Sequence, residues 1–435
     1  MILLSYFKQA YNLIRQESLF SLIYIIGTGL SISMVMILVI VFYIRVADLY
    51  PETNRSRMLI VKCGEAKFKS EKGSYSSDGF SSQTVEACFG SLQNAEVVCI
   101  MGRPRNNQKY IESDTHQGRL PVLVKYVDQH FWKVFPFRFL AGKPFTEADV
   151  RSALPEAVLS ASLARRLFGT VEVTGRFCRI EYEEYRIAGV VRDGSYALDR
   201  SYADIWLPYT RMSGGGAFSF ANGVLGDLQV LALAPSAAQV KTLQMEMAER
   251  VRRYDQTLGE WEFSIHGQPD RPWQSCLRSY GSEDPSFGQI LFRYGVFIFL
   301  LLFIPAVSLS GMADSRMERR MAEMGVRRAF GAQTGHLMKQ ILVENFLFTL
   351  LGGLVGLLFS YGIIWLCRNW ILQIGLTATE LPPAGTDVLF SPSMLINFSV
   401  FGWVLLVCLL LNLLSALVPA WRASRRQIVY SLNAK

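Results

Sequence analysis

The chain has 435 residues, 51% of them hydrophobic, with a mean hydropathy of +0.23 and a formal net charge of +8. That is more apolar than a soluble protein of this size, so part of the chain belongs in lipid. The positive charge does not mark a nucleic-acid binder, because residues 47–287 hold 29 Lys or Arg against 29 Asp or Glu and the whole excess lies outside this one large polar segment.

In chain order, residues 1–19 form an amphipathic lead, with Tyr6, Phe7, Ala10, Leu13 and Ile14 interleaved with Lys8 and Arg15, which predicts a cytoplasmic helix. Phe20 to Tyr43 then runs without a charge for about 24 residues, where about 20 suffice to cross the hydrocarbon core. It lacks the short apolar core and small-residue cleavage site of a signal peptide, so a retained transmembrane helix is expected over 20–46. Three further apolar runs predict spans at 288–311, 341–368 and 395–418, the last stopped by Pro419.

Between the first and second spans, residues 47–287 read as an α+β domain outside the cytoplasm, with two subdomains suggested by loop-like stretches at Gly64–Gly79 and Ser213–Gly216. Strands are expected at Pro121–Tyr126 and at Arg176–Tyr182 and Tyr185–Val191, the last two joined at Glu183 and Glu184. Helices are expected over Gln83–Leu92, after a Ser160 cap up to Gly169, and after Ser236 with Val240, Leu243, Met247, Val251 and Tyr254 on one face. The fold class is thus a membrane all-α part of four helices, arranged one plus three, with a large α+β domain inserted between helices 1 and 2.

Counting Lys and Arg in the flanks sets the orientation. Lys8 and Arg15, the cluster Arg316, Arg319, Arg320, Arg327, Arg328 and Lys339, and the tail 419–435 with Arg422, Arg425, Arg426 and Lys435 lie on one side, and the connection 369–394 carries none. The positive-inside rule makes both termini and the loop 312–340 cytoplasmic.

No enzymatic motif emerges. A GxxxxGK[ST] phosphate loop, an HExxH pair and a GxSxG elbow are all missing, and His116, His130, His266 and His336 are scattered. The external cysteines Cys63, Cys88, Cys99, Cys178 and Cys276 show no zinc spacing; their odd number leaves at least one thiol unpaired, and small buried side chains are the simpler reading. Within the apolar runs Phe20–Tyr43, Ile290–Ser310, Ile341–Cys367 and Leu395–Val418, Arg293 and Glu344 are the two ionisable residues, both near a boundary, where snorkelling to the interface is the simpler reading. Gly352, Gly356 and Ser360, and Gly27, Gly29, Ser31 and Ser33, form small-residue stripes that suit helix contacts within one subunit or between two.

The most specific segment is Ile304 to Gln340, a basic stretch that leaves the membrane, breaks at Gly331 and re-enters after Thr334. Its core, Ala322 to Ala332 (AEMGVRRAFGA), resembles the "EIGIRRAxGA" loop of the FtsX-like and macrolide-exporter-like permeases, the membrane subunits of ABC transporters. The amphipathic lead, the one-plus-three arrangement and the tail VPAWRASRRQIVYSL look like that family. In the external domain FWKVFPFRFLAGKPF, VLSASLARRLFG and YRIAGVVRD are similar to its periplasmic core domain. Val171 to Gly175 (VEVTG) departs from the family's Asn-Pro-Ile-Gly turn.

The resemblance implies an inner-membrane, non-catalytic subunit with a periplasmic domain, working as a homodimer or with a paralogous permease. A separate ATP-binding subunit would carry ATP and magnesium, with no cofactor in this chain. Glu323, Met324, Gly325, Val326, Arg327, Arg328 and Gly331 would form the coupling surface for that ATPase. The motion expected is mechanotransmission, in which closure of the ATPase moves the external domains. Export of a peptide, antibiotic or lipoprotein, with a periplasmic adaptor, is the first reading. A relay to an external partner such as a cell-wall hydrolase, without transport, is the second.

Overall fold

The structure is a computed structural model that describes residues 18–70, 74–77, 79–103, 106–113, 116–212, 218–278, 286–300, 303, 334–371, 373, 383, 394 and 398–425. The chain divides into two compact units, with boundaries that include Phe42/Tyr43 and Ile290/Leu291. One unit holds apolar helices and the other the external domain.

In the helical unit, α1 (Ser18–Val46) continues its last turn into the external unit. Among the described residues, two helices are long and apolar enough to cross a membrane, within Ser21–Val46 and Leu342–Ile371. Tyr24, Thr28, Ile32, Val35 and Met36 make the buried stripe of α1, and Leu22, Ile26, Leu30, Met34 and Leu38 the exposed one, a helical period that fits one face on protein and one on lipid. Bare backbone sets the spacing to the helix Thr334–Ile371: a Cβ on Gly356 would stand 2.6 Å from the carbonyl oxygen of Gly29. This stripe therefore serves a contact within one subunit. Glu344 and Asn345 are both buried, Asn345 with its amide oxygen 3.5 Å from the Tyr24 hydroxyl. Glu344 is thus buried in protein rather than snorkelling as its position near the boundary suggests. Arg293 is exposed.

The external unit is α+β. Its strands are β1 (Met58–Val61), β2 (Gly64–Phe68), β3 (Ser74–Ser77), β4 (Val97–Gly102), β5 (Gln108–Ser113), β6 (His116–Val127), β7 (Phe139–Gly142), β8 (Glu156–Ser160), β9 (Phe177–Ile180), β10 (Glu183–Val191), β11 (Ile205–Pro208), β12 (Ser219–Phe220), β13 (Leu225–Gly226), β14 (Leu228–Leu233) and β15 (Trp261–Ser264). The main sheet runs β1-β14-β4-β6-β11-β8-β10-β9-β5, and β5 also pairs with the first half of β6, so six strands close on themselves. Closure removes edges that would otherwise expose unpaired backbone groups. Ile111, Val122, Val124, Leu159, Ile187 and Ile205 fill one face of this ring with a buried apolar cluster.

Helix α2 (Ser82–Phe89) starts at Ser81, whose hydroxyl accepts from Thr84 N, two residues before the predicted start and with a cap the sequence reading passes over. The next long enough to matter, α3 (Ala161–Phe168), has Ser160 as its cap and ends at Gly169, where φ is +74°. Both its ends match expectation, because a side-chain oxygen and a left-handed glycine are local signals. Helix α4 (Val240–Thr257) buries Val240, Leu243, Met247 and Val251; a short 3-10 turn follows Ser236 before it begins. The β9–β10 hairpin turns at Glu181 and Tyr182, both at positive φ, rather than at Glu183 and Glu184. The sequence FWKVFPF becomes an aromatic knot on the opposite face, with Phe137 5.1 Å and Trp132 5.9 Å from the ring of Trp206. Cys63, Cys88, Cys99 and Cys178 are buried.

Candidate functional site at the end of the first apolar helix

The expected coupling residues Glu323, Met324, Gly325, Val326, Arg327, Arg328 and Gly331 lie outside the described residues. The described chemistry concentrates elsewhere, where α1 ends and where the chain returns toward the second apolar helix.

A helix end leaves carbonyls without partners, and cations satisfy them well. At the end of α1, Arg55 Nη1 donates to Ile44 O at 2.7 Å and to Ala47 O at 2.8 Å, and Arg55 Nε donates to Glu52 Oε2 at 2.7 Å. Both charged side chains are buried, at 1% and 0% exposure. Glu52 Oε1 accepts from the backbone N–H of Ser201 at 2.9 Å, which ties the helix end to the loop before β11. Arg55 Nη2 has no hydrogen-bond partner among the described residues.

That loop is itself anchored by charge. Lys125 on β6 donates through Nζ to the carbonyls of Asp199, Arg200 and Tyr202, so all three ammonium hydrogens are used. Burial pushes the Asp199 carboxyl up, but Arg200, Lys125, Arg55 and Arg45 outweigh it and hold the group below the usual aspartate range. Burial disfavours the charge on Arg200, yet the Cys276 thiol and the Asp199 and Glu52 carboxylates leave its pKa raised.

The returning segment meets the same place. Helix α5 (Pro272–Leu277) puts the Cys276 thiol 3.8 Å from Arg45 O, and Arg200 Nη2 donates to Pro272 O at 3.3 Å. Beyond it, Arg278 forms a two-point pair with Asp270, at 2.6 and 3.0 Å, both residues buried, and donates to His266 O at 2.9 Å. Asp270 exchanges two backbone hydrogen bonds with Ile60, so this pair is fixed to β1. Lys62, its pKa lowered chiefly by burial, donates to Ser275 O and Arg278 O. Past residues 279–285, Phe287 packs on Trp273 at 5.6 Å and under the Arg278 guanidinium at 6.0 Å.

In this arrangement a fixed cluster of charges joins the end of α1 and the segment around α5 to the sheet. Among the described residues, no group of three or more His, Cys, Asp and Glu stands where it could hold a metal ion.

Two family models match the chain: a MacB-like periplasmic core domain over residues 21–250, and an FtsX-like permease C-terminal domain over 295–428. The chain belongs to the MacB-like, FtsX-like family of ABC transporter permeases. Among curated relatives, the macrolide export ATP-binding/permease protein MacB of Burkholderia cenocepacia is 27% identical over 298 residues, 65% of this chain and 40% of that one. The pyoverdine export ATP-binding/permease protein PvdT of Pseudomonas aeruginosa is 22% identical over 74% of this chain and 47% of that one. The ABC transporter permease YknZ of Bacillus subtilis is 23% identical over 57% of this chain and 58% of that one. The chain thus spans about half the length of the curated relatives it matches. In this MacB-like permease the external α+β domain is the periplasmic core domain. The buried pairs Arg55–Glu52 and Arg278–Asp270 escape sequence reading, since charged residues in a neutral domain look like surface.

Proposed function

We propose that this chain is the membrane subunit of an ABC transporter in which a separate ATP-binding subunit hydrolyses ATP and the periplasmic domain moves in response. Four spans with both termini cytoplasmic, and two permease subunits per assembly, complete the proposed architecture. The observation that carries the reading is the capped end of α1, where Arg55 holds Ile44 O and Ala47 O and Glu52 accepts from Ser201 N. A joint of this kind transmits displacement, whereas a glycine-rich linker would absorb it. The loop residues Glu323, Met324, Gly325, Val326, Arg327, Arg328 and Gly331 would receive the push from the ATPase. Export of a peptide, antibiotic or lipoprotein is the proposed output, in keeping with the export names of MacB and PvdT.

Affinity capture of the tagged chain from native membranes in mild detergent tests this. An ATP-binding subunit should co-purify and should be lost in the Arg327→Glu, Arg328→Glu double variant. A well-behaved complex without any ATPase would overturn the reading.

A further inference from the structure

A patch of two arginines and a tyrosine lies beside the end of α1 and takes no part in the buried joint. Val46 is the last residue of α1, and Tyr50 follows four residues later, within about 14 Å even for an extended chain. The chain turns back at once, with Leu49 bridged to Glu52, and Arg55 binds the carbonyls of the last helical turn. Tyr50 is therefore held close to where the apolar helix ends.

Two exposed arginines flank this tyrosine, Arg138 through its backbone and Arg192 through its guanidinium. The backbone N–H of Arg138 donates to the Tyr50 hydroxyl at 3.0 Å, the N–H of Arg192 donates to Arg138 O at 2.9 Å, and the Arg192 guanidinium stands 5.6 Å from the centre of the Tyr50 ring. Phe137 meets the ring in an edge-on contact at 6.1 Å. Neither guanidinium has a carboxylate hydrogen-bond partner among the described residues, and the carboxylate of adjacent Asp193 is engaged by Ser162 N at 2.7 Å and Ser162 Oγ at 2.8 Å.

We infer that Tyr50, Arg138 and Arg192 form a site for the phosphate headgroup of an anionic phospholipid in the outer leaflet beside α1. Tyrosine prefers the headgroup level of a bilayer, where its ring and hydroxyl face different media. Guanidinium groups suit phosphate oxygens. The site goes beyond the transport reading and does not depend on it.

The test places a photoreactive benzophenone amino acid at exposed Pro136, next to Phe137, in the full chain reconstituted into phosphatidylcholine vesicles with a minority of phosphatidylglycerol. Mass spectrometry then reads the lipid adducts. Phosphatidylglycerol adducts should exceed the bulk mole fraction by about five-fold or more, the factor expected from one surface arginine near an anionic headgroup. Arg138→Gln with Arg192→Gln should return them to bulk proportion. Both side chains are exposed, so the double variant should fold, and its thermal unfolding is to be compared with the parent. If it does not fold, the two single variants should fall between. Adducts at bulk proportion in the parent, no lipid adduct at all, or enrichment that survives the double Gln variant would each overturn the assignment.

Discussion

Arg55 illustrates how one residue can decide the behaviour of a joint. Removing one member of a buried ion pair leaves the other charge uncompensated, at a cost of about 3–5 kcal/mol, whereas replacing both by apolar groups is often near neutral. Arg55→Met should therefore destabilise the external domain by about that amount, and Arg55→Met with Glu52→Leu by less, as read from denaturant unfolding of the full chain in detergent. Equal losses would mean that the pair contributes nothing beyond its packing. Asp199 adds a pH dependence. Its folded pKa lies below the unfolded value, so its contribution is complete above the ordinary aspartate range, near 4, and is lost as pH falls through the depressed value. Hydrogen exchange at the loop before β11 should accelerate only below about pH 4; acceleration between pH 6 and 5 would point to another group. None of these pairs was legible in the sequence. Glu52 and Ser201 lie 149 positions apart, and nothing local distinguishes a buried arginine from a surface one.

Elements were more legible where their signals are local. The apolar run of α1, the Ser160 cap with Gly169 at the far end of α3, and the buried face of α4 all follow from periodicity and capping chemistry. Closure of the six-stranded ring was hidden, because it depends on β5 pairing with both β6 and β9. The β9–β10 turn was misplaced for a different reason: Glu181 and Tyr182 adopt positive φ, which sequence rules assign to glycine or asparagine. The small-residue stripes were visible, but not which helix faces them. Gly356 now makes a sharp test. Gly356→Leu should force α1 away from its neighbour and cost about 1–3 kcal/mol, whereas Gly362→Ala, with nothing within 4 Å of the added methyl, should be near neutral. Thermal unfolding of both variants in the same detergent discriminates; a tolerated Gly356→Leu would mean that the helices do not pack closely through this position.

At the scale of the whole molecule, the proposed mechanism requires that work done on the cytoplasmic side arrive at a periplasmic domain without being dissipated on the way. The charge cluster on Arg55, Glu52, Lys125, Asp199 and Arg200 gives that requirement a structural form, because the end of α1 and the return segment at α5 are bonded to one another through Cys276 and Arg45 O. Flexibility introduced at this point should separate binding of the ATPase from its consequence. Inserting a Gly-Ser-Gly-Ser stretch between Ala47 and Asp48 leaves the cytoplasmic surface intact but detaches the helix end from Arg55, whose bond to Ala47 O would be among the first lost. The ATP-binding subunit should still co-purify in full. Movement of the periplasmic domain on ATP addition, followed by a fluorophore pair across two permease copies, should fall by about ten-fold or more, the loss expected when roughly 1.4 kcal/mol of coupling disappears. Arg327→Glu with Arg328→Glu should give the opposite pattern, losing the ATPase while leaving the junction rigid. If the inserted linker leaves the motion unchanged, force does not pass through the end of α1, and the charged joint serves stability alone.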